Sequence, residues 1–70
     1  MSLKRIQNSI GKKLKVLRIN ADLTQEDVYL ATGISRDHIS NLENGKYPIK
    51  LQTLYTLACY YKVELKYFFE

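Results

Sequence analysis

The stretch "GISRDHISNLENG", residues 33–45, carries the signals for a turn followed by a short amphipathic helix. Gly33 permits the left-handed backbone that a tight turn after a helix needs, and Ser35 is a favoured helix N-cap. Ile39 and Leu42 share one face of the helix that follows, which predicts that this face packs in a core. The opposite face is polar and consists of Asp37, Ser40, Asn41 and Asn44. The helix therefore has one face for packing and one that is free to bind.

A second helix precedes the turn. Thr24 and Asp27 have the spacing of a capping box, so they predict a helix that starts there and ends at Gly33, with Val28 and either Ala31 or Thr32 directed inward. Two helices of about nine residues joined by a tight turn match a helix-turn-helix, whose second helix can enter the major groove of DNA. We place this motif at about residues 24–44.

Three further segments complete the predicted fold. A first helix spans about residues 5–19, and a fourth spans about residues 51–61. The segment "VELKYFF", residues 63–69, predicts a short fifth helix or a turn. The apolar stripes of the first and fourth helices are Ile6, Ile10, Leu14 and Leu17, and Leu54, Leu57, Ala58 and Tyr61. No strand-like alternation occurs, so we predict an all-α, compact five-helix bundle that forms one domain over residues 1–70.

The charge distribution is uneven. The chain has 70 residues and a formal net charge of +4, which suits a polyanionic partner but also many ordinary soluble proteins. Six basic residues precede the first acid, Asp22: Lys4, Arg5, Lys12, Lys13, Lys15 and Arg18. One end of the molecule is therefore strongly basic.

Several classes of function lack the residues that they need. Cys59 is the single cysteine and His38 the single histidine, so we predict no disulfide, no metal site, no cofactor and no catalytic pair. We expect a protein that is not an enzyme. Because no long apolar run or signal-like segment occurs, we also expect a cytoplasmic protein that does not enter a membrane.

The segment "LTQEDVYLATGISRDHISNLENGKYPIKLQTLYTLACYYKVEL", residues 23–65, resembles the helix-turn-helix domain of phage repressors, Cro and the xenobiotic-response-element (XRE) regulators. The resemblance covers about residues 6–69. Its specific parts are Thr24-Gln25, Gly33, Ile34-Ser35, Ile39, Leu42 and Glu43-Asn44-Gly45. It implies five helices, sequence-specific binding of double-stranded DNA as a homodimer, and no catalysis.

Five residues of the third helix are predicted to contact bases. Arg36 can donate two hydrogen bonds to guanine, and Asn41 can pair with adenine. The resemblance places Asp37 and His38 beside them at base-contacting positions, with Ser40 as a fifth. For Asp37 the alternatives are that it accepts from cytosine or holds Arg36 in place, or that it only stabilises the helix N-terminus.

Gln25 is the first of the predicted phosphate contacts. It begins the second helix, where the terminal N–H groups can face a phosphate, and the resemblance implies that its side chain holds the DNA backbone. The predicted phosphate contacts are Thr24, Gln25, Asn44, Lys46, Tyr47 and Lys50. For the four residues after the third helix, the alternative is that the side chains are solvated and do not contact DNA. These residues are Asn44, Lys46, Tyr47 and Lys50.

Glu43 and Arg18 are predicted to form a structural ion pair. Glu43 lies beside the apolar stripe of the third helix, where an unpaired carboxylate would be strongly destabilising. Arg18 flanks the stripe of the first helix, and the resemblance points to the same pair. We assign both residues to folding rather than to recognition.

Two features depart from the family pattern. Tyr29 stands where the family usually has alanine, so either the helix crossing is adjusted or the ring turns outward. The loop from Lys46 to Lys50 is about one residue longer than the commonest form, and no Ser, Thr or Asp caps the fourth helix.

Seven of the eight aromatic residues lie at or after Tyr47, more than a small core can hide. We predict that residues 51–70 contain a homodimer interface. Its predicted members are Tyr55, Cys59, Tyr60, Tyr67, Phe68 and Phe69. The alternative function is a helical protein-interaction module, such as an antitoxin-like partner, with the same fold.

Overall fold

A computed structural model describes residues 2–46 and 48–70, and in this part of the chain helices joined by turns and short loops are present and no strand occurs. The helices are α1 (Leu3–Asn20), α2 (Gln25–Thr32), α3 (Arg36–Glu43) and α4 (Leu51–Tyr61), followed by a 3-10 helix (Leu65–Phe69). The prediction of an all-helical chain without strands is confirmed for these residues. None of these helices is both long and apolar enough to cross a membrane.

The predicted count of five helices is wrong, because the last segment is a 3-10 helix. Lys62 ends α4 in the left-handed conformation, with φ +59°. The N–H of Tyr67 then donates to the carbonyl of Glu64 at 3.0 Å, an i to i+3 bond. The five residues Leu65–Phe69, which include the buried ring of Phe68, form this tighter helix, which is used in such short pieces.

The start and end signals of α2 and α3 act as the sequence predicts. The Thr24 hydroxyl accepts from the N–H of Asp27 at 3.0 Å, and the Asp27 carboxylate accepts from the N–H of Thr24 at 2.8 Å. Gly33 ends α2 with φ +78°, and the Ser35 hydroxyl accepts from the N–H of His38 at 3.2 Å. The Thr32 hydroxyl donates to the Val28 carbonyl and accepts from the N–H of Ile34, which ties the turn to α2.

All four α-helices and the 3-10 helix contribute to one apolar core. Its buried members are Ile10, Leu14, Val28, Ile39, Leu42, Leu54, Leu57, Ala58 and Phe68. Ile6, Leu17 and Tyr61, at the ends of the predicted stripes, are half-buried against it. Of the two alternatives near Val28, Thr32 is half-buried and Ala31 is exposed.

Gly11 lets α1 approach α3 closely. A Cβ atom at this position would lie 2.8 Å from the carbonyl oxygen of Glu43 and would overlap that of Leu42. Both neighbours are backbone atoms, which move less readily than side chains. The close contact fixes α3 against α1 and leaves its other face exposed.

Candidate nucleic-acid interface

The predicted base-contacting residues lie together on α3. Arg36 and Asp37, in its first turn, are exposed, and His38, Ser40 and Asn41 are half-buried. The surface of α3 outside the core therefore presents a guanidinium, a carboxylate, an imidazole, a hydroxyl and an amide. These groups can donate and accept hydrogen bonds at base edges.

Arg36 is held by a residue of α2 that the sequence did not indicate. Its Nη1 atom lies 3.1 Å from Oε1 of Glu26, and both side chains are about half exposed or more. Arg36 is thus paired here with Glu26 of the neighbouring helix and not with Asp37. Asp37 is the acidic residue in the first turn of α3, where a negative charge stabilises the helix dipole.

Tyr29 is 40% exposed, so its ring lies at the surface rather than between the two helices. With Ser35, Arg36 and Asp37 it lines a shallow cleft of about 250 Å³ where α2 meets the start of α3. The outward alternative for this ring is therefore the one observed. The ring of Tyr29, on α2, thus lies beside the exposed start of α3.

A buried polar network joins α1, α2 and α3. The carboxylate of Glu43 accepts from Nε of Arg18 at 2.8 Å and from its Nη2 at 3.1 Å. Arg18 also donates from Nη1 to the carbonyl of Leu23 at 2.9 Å. Gln25 supplies a third donor to Glu43, from Nε2 at 3.2 Å. The ion pair therefore also positions the side chain of Gln25, a link that the sequence did not reveal.

Burial and charge alter two pKa values around this network. The hydrogen bond that the Arg18 guanidinium donates to Glu43 raises the pKa of Arg18 above its ordinary value. Burial, with a smaller effect of Glu43, raises the pKa of Tyr61 to about 12. Both Arg18 and Tyr61 thus keep their protons at neutral pH.

The predicted phosphate contacts differ in how free their side chains are. Lys46 and Lys50 are exposed, whereas Thr24 caps α2 and Gln25 gives one of its two amide hydrogens to Glu43. Asn44 donates from Nδ2 to the Ser40 carbonyl at 2.9 Å. Tyr47, also predicted here, lies outside the described residues.

The predicted dimer residues fall into three groups. Tyr55 and Phe69 are 61% and 60% exposed, and Cys59 is exposed as well. Tyr60 and Tyr67 are half-buried against the core. Phe68 is 1% exposed, so its assignment to an interface is wrong: a small core still needs one ring from this segment to fill it.

Lysine side chains of α1 lie beside the end of α3, where the Arg18–Glu43 pair also joins the two helices. Lys4 donates from Nζ to the carbonyl of Gly45 at 3.3 Å. Lys12 and Lys15 line a groove of about 290 Å³ together with Asn44. The helical period predicts that Lys12 and Lys15 point away from the core, and the packing of α1 on α3 brings them beside Asn44.

Two comparisons identify the class of protein. The model of a helix-turn-helix family matches residues 14–68. The chain belongs to this XRE-like helix-turn-helix family of DNA-binding domains. An uncharacterized HTH-type transcriptional regulator of Methanocaldococcus jannaschii is 37% identical to the chain over 54 residues, which cover 77% of this chain and 82% of that protein.

Among residues 2–46 and 48–70, no group of three or more His, Cys, Asp or Glu side chains has the arrangement of a metal site.

Proposed function

We propose that this protein is a sequence-specific DNA-binding transcription regulator that inserts α3 into the major groove of a palindromic operator. The observation that carries the proposal is the exposed polar face of α3, held by its other face against the core. Arg36, Asp37, His38, Ser40 and Asn41 then read base edges, while phosphate contacts fix the register. Family membership and the HTH-type regulator among its relatives support the same conclusion.

The proposed phosphate contacts gather around the C-terminal end of α3, because Gln25 contacts Glu43 there and Lys46 follows α3 closely in the chain. Gln25 lies at the N-terminus of α2, where backbone N–H groups favour an anion. Its second amide hydrogen is left to donate to a phosphate, since Glu43 accepts the other. Lys46 and Lys50 supply positive charge after α3.

We further propose that two copies bind as a homodimer through the surface around Tyr55, Cys59 and Phe69. Exposed apolar side chains favour a protein interface. A two-fold symmetric dimer would place two α3 helices about one DNA turn, roughly 34 Å, apart, which is why a palindromic site is expected.

The test is selection of bound sequences from a random DNA pool, followed by a salt titration on the enriched site. We expect a palindromic consensus and an affinity that falls steeply with salt, because phosphate contacts release counterions. Equal binding to all sequences would contradict sequence-specific recognition. Binding to a protein that persists when Arg36 and Asn41 are both alanine would instead support an interaction module.

A further inference from the structure

The charge of the recognition motif itself is unfavourable for DNA. Residues 24–44 contain one Arg or Lys, Arg36, and four acids: Glu26, Asp27, Asp37 and Glu43. Arg36 is paired with Glu26, and Glu43 with Arg18 of α1. Since phosphate contacts from cations supply much of the affinity of DNA-binding proteins, most of the attraction must come from outside α2 and α3.

Helix α1 contains the largest concentration of positive charge. It carries six Lys or Arg residues, and no acid occurs before Asp22. Three of the six are engaged within the molecule. Lys4 donates to the carbonyl of Gly45, Lys13 to the carbonyls of Tyr67 and Glu70, and Arg18 to Glu43.

The other three cations are Arg5, Lys12 and Lys15. All three are exposed, and within residues 2–46 and 48–70 their side chains make no hydrogen bond or ion pair that meets ordinary distance limits. With Asn8 they follow the spacing i, i+3, i+7 and i+10, which places them on one face of the helix. This face extends for about 15 Å along α1.

Two adjoining grooves follow this face towards α3. The first, of about 480 Å³, is lined by Arg5, Asn8, Ser9, Lys12 and Lys13. The second is lined by Asn8, Lys12, Lys15, Glu43 and Asn44. The Glu43 carboxylate is offset by Arg18 and Gln25, so the grooves are positively charged as far as Asn44, itself a proposed phosphate contact.

We propose that the α1 face of Arg5, Asn8, Lys12 and Lys15 is a second DNA-binding surface, which holds phosphodiester groups of the backbone beside the C-terminal end of α3. The inference rests on the proposed function and deepens it, because it assigns the electrostatic part of the affinity to α1 and the reading of sequence to α3. Lysine side chains bind phosphate as point charges. The α1 face therefore strengthens binding to every sequence alike.

The test compares two double variants that remove the same charge. Lys12→Gln/Lys15→Gln changes the α1 face, and Lys62→Gln/Lys66→Gln changes two exposed lysines elsewhere. Affinity for the selected duplex is measured by fluorescence anisotropy over a range of salt concentrations. Each lost phosphate contact should reduce the slope of log K against log salt by about 0.9, so we expect a reduction of about 1.8 for each bound copy of the α1 variant and little change for the other variant.

Three controls separate a DNA contact from other effects. Thermal unfolding and sedimentation velocity should show that both double variants keep the wild-type fold and oligomeric state. Lys12→Arg/Lys15→Arg keeps the charge and should keep the wild-type slope. The base preferences of Lys12→Gln/Lys15→Gln should match those of the wild type.

The inference and the proposed function fail in different ways. Equal slopes for the two Gln double variants would overturn the α1 contact while leaving a consensus sequence intact. A wild-type protein without any sequence preference would overturn the proposed function, and the slopes on a random duplex would still decide the role of α1. No binding to any DNA would overturn both.

Discussion

Glu43 links folding to recognition at the scale of single residues. Among the described residues it is the one buried charged side chain, 6% exposed. Its carboxylate accepts from Arg18 and from Gln25. Loss of this carboxylate therefore removes the hydrogen-bond partner of Arg18, which stabilises the fold. It also removes a partner of Gln25, which is proposed to bind DNA.

Replacing Glu43 by alanine should lower the free energy of unfolding by about 3 kcal/mol, because it leaves Arg18 poorly solvated and without its partner. Urea denaturation measures the change. Glu64→Ala is the matched control: its pair with Lys66 is largely exposed, so the loss should stay below about 1 kcal/mol. A Glu43→Ala protein with the wild-type melting temperature would contradict the structural role of the pair.

The lowered pKa of Asp27 leads us to predict how the stability of the folded chain depends on pH. Hydrogen bonds between its carboxylate and Thr24, first to the backbone N–H of Thr24 and then to the Thr24 side chain, lower the pKa of Asp27 below the ordinary value. A carboxyl group with a lower pKa in the folded chain stabilises the fold above its unfolded pKa, about 4, and this stabilisation is lost as the pH falls through the folded value. Asp27→Asn should therefore be less stable than the wild type near pH 6, with a difference that narrows below about pH 4. Chemical denaturation across this range measures it, and a constant difference would contradict the capping role.

Sequence reasoning at the residue scale succeeded where the signal was local or strongly constrained. The Thr24–Asp27 cap depends on four consecutive residues, and the Arg18–Glu43 contact follows from the need of a buried carboxylate for a cation. The Glu26–Arg36 pair was missed. It depends on how α2 and α3 cross, which the helical period of either helix alone does not specify.

At the scale of the elements, the close approach of α1 to α3 fixes how α3 is held against the rest of the molecule. The intrinsic preference of a helix for alanine over glycine is about 1 kcal/mol. At Gly11 the carbonyl groups of Leu42 and Glu43 occupy the space that a methyl group would need. Packing therefore outweighs helix propensity at this position.

Gly11→Ala should destabilise the protein by about 1–3 kcal/mol, since the backbone of α3 must shift to admit the added carbon. Urea denaturation measures the loss. Ser9→Ala, at an exposed position of the same helix, should leave stability unchanged or slightly raised. A Gly11→Ala protein more stable than the wild type would show that α1 and α3 are not in close contact.

The bounds of α2 and α3 could be predicted because their caps and the turn at Gly33 are encoded within a few residues. The last element could not, because the choice between an α-helix and a 3-10 helix depends on where Phe68 must reach the core. The burial of the Phe68 ring in the core also explains why its assignment to the dimer interface is wrong. Periodicity identifies apolar residues but does not decide which of several neighbouring rings is buried.

At the scale of the whole molecule, the division of charge and apolar surface defines three regions. The α1 face is basic, the exposed face of α3 is polar, and Tyr55, Cys59 and Phe69 expose apolar side chains elsewhere. In the proposed complex these regions attract DNA, read it and join two copies.

Dimerisation through the apolar region can be tested by sedimentation equilibrium. Tyr55→Ser/Phe69→Ser should weaken self-association at least about tenfold, which corresponds to about 1.4 kcal/mol, because large aromatic anchors dominate interfaces. Leu30→Ser is the control, since Leu30 is 71% exposed but lies on α2. An unchanged association constant in the double variant would place any dimer interface elsewhere.

The most direct test of the central claim compares the full binding profiles of Arg36→Ala and Lys46→Ala over all single-base variants of the selected operator. If α3 reads the sequence, Arg36→Ala should lose about 1–3 kcal/mol and relax one base position in each half-site, whereas Lys46→Ala should weaken all sites alike and reduce the salt slope by about one for each bound copy. Identical profiles for the two variants would contradict the account.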